Sequence, residues 1–270
     1  MAPKAYAAQD RAVRPVDYSL LIKKKFPFVK SLKVWGGEKN DPPQYGKVFM
    51  SIIFSSGEIL TRSIKTQIIT YLDDYEVGSI TPEITDSEEI NLDLTISFAY
   101  NSKLTSNTFN QLSTLIGTIV DTYNTGSLND FDDYYNDSYL NDQIMGITGI
   151  ESSNITKTAK RQMTKLDYVN PTYTYNFKNP VDVGSFYVDT FTIDITADSE
   201  KIYDDSNGNI IYEKTIGSNV TKTTIGTIDY TTGNISFVAT MVQSDSYFYI
   251  YVTPSNDNFY VYNNKYLNIS

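Results

Sequence analysis

The sequence contains no cysteine and no histidine. Without a thiol there is no disulfide and no thiolate nucleophile. Without an imidazole there is neither a Ser-His-Asp triad nor a zinc site of the usual nitrogen and sulfur kind. These two absences remove most hydrolytic mechanisms and leave carboxylate chemistry, a hard-cation site built from oxygen, or no chemistry at all. The chain also lacks any run of about 18 apolar residues, the length a membrane-crossing helix needs, and its opening MAPKAYAAQD lacks the apolar centre of a signal peptide. A soluble chain that is not exported by that route is expected. Positive charge is scarce: 22 Lys and Arg stand against 32 Asp and Glu, a formal net charge of -10. A phosphate backbone would meet net repulsion unless basic residues were gathered on one face. The one basic cluster, Lys23, Lys24 and Lys25 with Lys30 and Lys33, falls on and just after a short predicted helix and reads as a solvated face. No nucleic-acid partner and no membrane insertion are expected.

What the chain does hold is aromatic. Its 270 residues include 23 Tyr and 13 Phe, and 40% are hydrophobic, so a sizeable core is expected despite the many Asn, Asp, Ser and Thr. In residues 14–26, Pro15 suits a first helical turn, Asp17 suits the positive end of the dipole, and Tyr18, Leu21, Ile22 and Phe26 share one face until Pro27 stops the helix. Residues 28–35 read as a strand leading into a Gly-Gly and Pro-Pro loop over 36–46. Lys47–Phe54 is a nearly continuous apolar strand, and Ile59, Leu60, Ile64, Ile68 and Leu72 then mark a helix face. Residues 77–84 read as a strand. Ile90, Leu92, Leu94, Ile96, Phe98 and Tyr100 alternate with polar or small residues, which puts one face of a long strand in a core and the other in water. Thr105 or Ser106 is the expected N-cap of a second helix carrying Phe109, Leu112, Leu115, Ile116, Ile119 and Tyr123. An acidic stretch over 129–142 reads as a long loop or a polar helix, and residues 144–158 offer a last strand.

That order predicts an α+β fold: a ferredoxin-like β-α-β-β-α-β unit, with a central hairpin over 77–100, preceded by a short helix and followed by an all-β C-terminal domain. Seven short strands are expected in the last part, over 173–177, 186–195, 210–214, 224–230, 235–243, Tyr247–Val252 and 259–262. Asn207-Gly208 and residues 231–234 mark explicit hairpins. The expected division is residues 1–45 for the entry helix, strand and loop, 46–165 for the ferredoxin-like domain, and 166–270 for the β domain.

Three stretches carry a family resemblance. Residues 8–18 (AQDRAVRPVDY) are close to an "R-A-V-T-x-x-D-Y" helix entry, with Arg14 where Thr is usual. Phe26-Pro27 followed by residues 34–49 (VWGGEKNDPPQYGKVF) resembles "WGGEDNDPPxYGKVF" almost residue for residue, and Ile80-Thr81-Pro82-Glu83-Ile84 matches a third segment. Together they resemble the baseplate wedge family of T-even-type, contractile-tailed bacteriophages, whose members share a region with baseplate J-like proteins. The likeness spans roughly residues 8–100. Beyond it only a hairpin of the "IDYTTGNI" type over 228–235 is similar. In that family the entry helix lies mid-chain, so the resemblance implies that an N-terminal half is missing here. It also implies a non-enzymatic structural role in the virion: two copies of the subunit join another wedge protein, and six wedges close into a ring.

The loop supplies the candidate interaction residues Trp35, Gly36, Gly37, Pro42, Pro43 and Tyr45. The glycines permit unusual backbone angles, the prolines stiffen the return, and Trp and Tyr are frequent interface anchors. Two readings stay open: a binding loop, or Trp35 and Tyr45 packed beneath it to hold it on the sheet. Asp130, Asp132, Asp133, Asp137 and Asp142, or Asp204 with Asp205, offer oxygen ligands, but neither set keeps EF-hand spacing. Neighbouring carboxylates at Asp73-Asp74 and Glu88-Glu89 do not set the separation a glycosidase needs. No catalytic residue, metal or cofactor is assigned. Expected partners are the chain itself, as a homodimer, and other baseplate wedge subunits. The alternative is a receptor- or glycan-binding β-module, suggested by the Tyr-, Asn- and Ser-rich C-terminal part.

Overall fold

In the computed structural model, which describes residues 11–40, 42–54, 60–75, 77–78 and 80–269, the strands form sheets of three, ten and two. The chain divides into two units. One comprises the chain up to Glu88 with Asp130–Asp132 and Tyr262–Tyr266; the other comprises Glu89–Asn129, Asp133–Val261 and Leu267–Ser270. The parts of the sequence reading at residues 8–10, Asp41, Ile59 and Ser79 lie outside the described residues.

The first unit begins with helix α1, Pro15–Lys25. Asp17 accepts the backbone N–H groups of Arg14 at 2.9 Å and Val13 at 3.3 Å, satisfying donors that a helix start leaves unpaired. Burial alone would raise the Asp17 pKa; those two N–H groups and the Arg14 guanidinium outweigh it and hold the carboxyl below its ordinary value. Strand β1 (Val29–Gly36) pairs antiparallel with β2 (Lys47–Phe54), and β2 pairs parallel with β3 (Thr81–Ile84). Helix α2 (Arg62–Asp73), capped by Thr61, makes the crossover from β2 to β3. Tyr18, Ile22 and Phe26 of the α1 segment and Ile68 and Leu72 of α2 bury against Val48, Met50, Ile52 and Phe54 on one face of β2. The other face carries Phe49 and Ser51, which are also buried, explaining why β2 is apolar along nearly its whole length.

The second unit is built on the ten-stranded sheet. Strand β4 (Glu88–Tyr100) pairs antiparallel with β6 (Ile150–Thr164), and β6 with β13 (Tyr247–Val252). From β13 the sheet continues through β8 (Tyr187–Asp189), β9 (Ser199–Asp204), β10 (Asn209–Ile216), β11 (Asn219–Asp229), β12 (Asn234–Val238) and β7 (Thr172–Asn176). Strand β15 (Lys265–Ile269) lies on the far side of β4. Helix α3 (Phe109–Ser127) and helix α4 (Asp137–Met145) accompany the sheet, and β5 (Tyr134–Asn136) forms a separate pair with β14 (Asn258–Tyr260). The core is aromatic at its centre: Tyr173 and Phe237 both contact Phe248, Tyr173 edge-on at 4.9 Å, and Phe186 packs on Phe237. Both explicit hairpins form. Asp205 accepts from the Asn207 and Asn209 backbones in the first; in the second Asp229 accepts from Thr231 and Thr232, and a Cβ on Gly233 would lie 2.6 Å from the Asn179 carbonyl.

The architecture is α+β and mostly sheet, but the strand pairing departs from the expected ferredoxin-like unit. No hairpin joins 77–84 to 88–100: β3 runs parallel to β2, while β4 pairs with β6 in the other sheet. Pro82 gives the reason, since a proline cannot donate to a second ladder and holds the four-residue β3 at a sheet edge. Nor does residue 165 separate an α+β part from a β part, because Tyr247–Val252 completes the ladder begun by β4 and β6. The units part instead at Glu88 and Glu89, inside the span expected to be one domain. Three local boundaries also move. The N-cap of α3 is Thr108, paired with Gln111 in a reciprocal capping box, rather than Thr105 or Ser106. The acidic stretch forms β5 and most of α4, where Asn136 caps by accepting the Tyr139 N–H at 2.9 Å. Ile144 therefore ends a helix, and β6 starts only at Ile150.

Candidate functional site

The loop between β1 and β2 is built outward from one aromatic pair. Trp35 and Phe49 stand opposite each other in the β1–β2 ladder, and their rings stack at 6.0 Å with 21° between planes. The indole N–H donates to Asn40 Oδ1 at 2.7 Å, which fixes the chain just after the short 3-10 turn Gly37–Lys39. The Gly37 carbonyl accepts from Asn40 N at 3.2 Å and Gln44 N at 2.8 Å, so one oxygen ties both arms of the loop together. Only glycine fits there, because a Cβ would sit 1.9 Å from the Gln44 carbonyl oxygen. Gly46, at φ 78°, turns the chain back, and its carbonyl accepts the Thr81 N–H at 2.9 Å, coupling the loop to the start of β3. Lys47 then pairs with Glu83 at 2.7 Å.

The six candidate residues are thus placed in two layers. Trp35 and Gly37 are buried and Gly36 is half-buried; they form the base. Pro42, Pro43 and Tyr45 are exposed at the tip, Tyr45 at 82%. The two aromatics that the sequence presents alike have opposite environments: Trp35, at 3% exposure, packs under the loop, whereas Tyr45 stands in solvent. Beside the base lies a cavity of ≈ 230 Å³ lined by Val13, Pro15, Gly36, Gly46, Val48 and Ile80, with Glu38 and Lys47 at the charged margin. Its lining comes from all three motif-bearing stretches, which are separated in the chain and meet here. Val13 and Val16 leave further apolar surface exposed at the start of α1.

Asp130, Asp132, Asp137, Asp204 and Asp205, considered as cation ligands, have protein partners. Asp130 bonds with Ser31, and Asp132 pairs with Lys33. Asp137 pairs with the buried Lys157. Asp204 accepts the backbone N–H groups of Gly184 at 2.8 Å and Phe186 at 2.9 Å, and the Tyr230 hydroxyl at 2.6 Å. Burial and that bond to Asp204 push the Tyr230 pKa up to about 12, so it stays a donor. Among the described residues no three Asp or Glu side chains gather into a metal-binding group. Among those residues, too, no helix is long and apolar enough to cross a membrane.

The candidate loop thus has a buried aromatic base, a solvent-facing tip and a small cavity at its foot. Residues 15–85, about a quarter of the chain, match the family model described as baseplate structural protein gp6, C-terminal domain I, and the match supports a phage baseplate structural protein. The matched span contains α1, the loop, α2 and β3, and nearly all of the residues lining the cavity. No curated protein matches the chain.

Proposed function

We propose that this chain is a non-enzymatic structural component of a contractile phage-tail baseplate, a wedge subunit that takes part in ring assembly through protein-protein contacts. In this reading it is made in the host cytoplasm, resides in the virion baseplate, and contacts a second copy of itself and other wedge subunits. The observation that carries the reading is the coincidence of the baseplate-family match with the convergence of the three motifs at one exposed loop and cavity. Tyr45, with Pro42 and Pro43, is the proposed anchor, and the cavity beside Val13 and Ile80 receives a partner side chain. The glycan-binding alternative has less support. Of the tyrosines on the large sheet, Tyr187 stacks on the buried Tyr251 at 4.5 Å with 3° between planes, so the faces of these two rings cover each other.

The test is co-expression of the chain with candidate wedge subunits, followed by affinity capture and sedimentation. Tyr45→Ala is expected to abolish co-sedimentation while leaving thermal unfolding unchanged. Undiminished assembly by a Tyr45→Ala, Pro43→Ala double variant would overturn the assignment of the loop.

A further inference from the structure

The cavity at the foot of the loop owes part of its shape to Gly36. That residue stands opposite Val48 in the β1–β2 ladder, so a side chain there would share the valine's face of the sheet. With no side chain present, the space is taken by the carboxylate of Glu38: a Cβ on Gly36 would lie 2.0 Å from one of its oxygens and 2.5 Å from the other. The short turn Gly37–Lys39 thus folds Glu38 back over the end of β1 and sets its charge beside the apolar walls of Val13, Pro15, Val48 and Ile80. Lys47 lies at the same margin, but Glu83 holds it at 2.7 Å and balances its charge. Among the described residues no cation pairs with Glu38. The cavity therefore joins apolar walls to one unbalanced carboxylate.

We propose that the side chain this cavity receives is cationic, an arginine or lysine of the partner protein, with its methylenes against the apolar walls and its charged head on Glu38. This rests on the reading above that the cavity takes a partner side chain, and it names the chemistry of that side chain. Lysine and arginine are apolar along the stem and charged at the tip, and they bury the one while keeping the other at a polar rim. A wholly apolar side chain would fill the walls but strip water from the carboxylate without replacing it, and an acidic one would meet a like charge. Arginine fits better than lysine, because its planar fork can donate to both carboxylate oxygens at once. Glu38 is itself exposed, so the pairing shows as selectivity among ligands rather than as a large gain in affinity. Gly36 acquires a second role in this account: it leaves the carboxylate room to sit over the strand.

The test uses the full chain with methyl-labelled valine and isoleucine, followed by NMR during titration with three capped single residues: arginine, lysine and citrulline, the last an uncharged near-isostere of arginine. The arginine and lysine derivatives are expected to shift the Val48 and Ile80 methyl signals with dissociation constants about fivefold below that of citrulline, and added salt is expected to narrow the gap. Glu38→Gln should erase the preference for arginine over citrulline. Gly36→Ala, at a backbone conformation that suits alanine, should displace the carboxylate and weaken the same preference while thermal unfolding stays unchanged. Equal affinity for arginine and citrulline, a preference that survives Glu38→Gln, or no shift at these methyls would each overturn the proposal. The loop reading would still stand if Tyr45→Ala abolished co-sedimentation. Conversely, an arginine preference that depends on Glu38, found beside a Tyr45→Ala variant that assembles normally, would uphold the ligand chemistry and remove the loop from assembly.

Discussion

The central strand of the small sheet, β2, is buried on both faces, while β4 of the large sheet buries one face and leaves Thr95, Ser97 and Ala99 exposed on the other. The difference follows from what each sheet supports. In the first unit α1 and α2 cover one side of β2, and the other side holds the Trp35–Phe49 stack that anchors the candidate loop. Strand β2 thus serves as core and as foundation for the site at once. In the second unit the core is concentrated around Phe248, and strands far from it, such as the outer half of β11, are exposed on both faces. The candidate loop of the small unit is anchored on a strand buried on both faces, whereas the large sheet carries exposed strands remote from its core.

The only tryptophan lies in the first unit, so its fluorescence follows that unit while far-UV circular dichroism is dominated by the large sheet. Phe248→Ala is expected to have the largest effect, roughly 4–5 kcal/mol lost from the second unit, because a fully buried aromatic leaves a cavity and two broken ring contacts. The circular dichroism midpoint should fall while the fluorescence midpoint stays; equal shifts in both would mean that the units unfold as one and would break the comparison. Phe49→Ala reverses the pattern. It removes the surface on which Trp35 stacks, is expected to destabilise the first unit by about 3 kcal/mol, and should move the fluorescence transition first.

Asp17→Asn sharpens the contrast at a smaller scale, about 1 kcal/mol, by weakening the acceptor at the start of α1. Since the Asp17 pKa is held below its ordinary 3.8, its ionised form stabilises the fold at pH values above 3.8. That contribution disappears as pH falls through the lower folded value, so the gap between wild type and Asp17→Asn should close in acid. A gap constant from neutral pH to pH 2 would show that the carboxylate charge is not what caps the helix. Tyr45→Ala is expected to change stability by less than about 0.5 kcal/mol, read by the same fluorescence melt, since the ring touches little of its own chain.

Much of this was legible in the sequence where local chemistry decides it. The continuous run at 47–54, the alternation at 90–100, the stripes of α1 and α3 and the Asx-type hairpin turns each state an element through its own period or turn residues. Period does not name a partner. Alternation says which side of β4 is buried, yet nothing in residues 88–100 distinguishes 81–84 from 150–164 as the neighbouring strand, and the decisive residue, Pro82, lies outside β4. The cap of α3 was missed for a related reason. Thr105, Ser106 and Thr108 are all acceptable caps, and only Gln111, three residues after Thr108, separates them. At the loop, composition showed two aromatic anchors but not their depths. Depth depends on register, because Trp35 faces Phe49 across the ladder whereas Tyr45 falls within the turn.

The outer half of β11 has a consequence for handling the protein. Residues 219–224 are exposed, and β12 pairs only from Gly226 onward, so this stretch has a ladder on one side only, to β10. An unsatisfied strand edge is a template for fibre growth between chains. Lys222 stands in the middle of it, bridged to Glu213 on β10, and a neighbouring copy laid antiparallel in the centred register would bring a second ammonium directly opposite. A single lysine thus acts as a gatekeeper against stacking. Lys222→Val should leave the monomer folded yet shorten its shelf life at high concentration, with thioflavin-positive material as the visible sign.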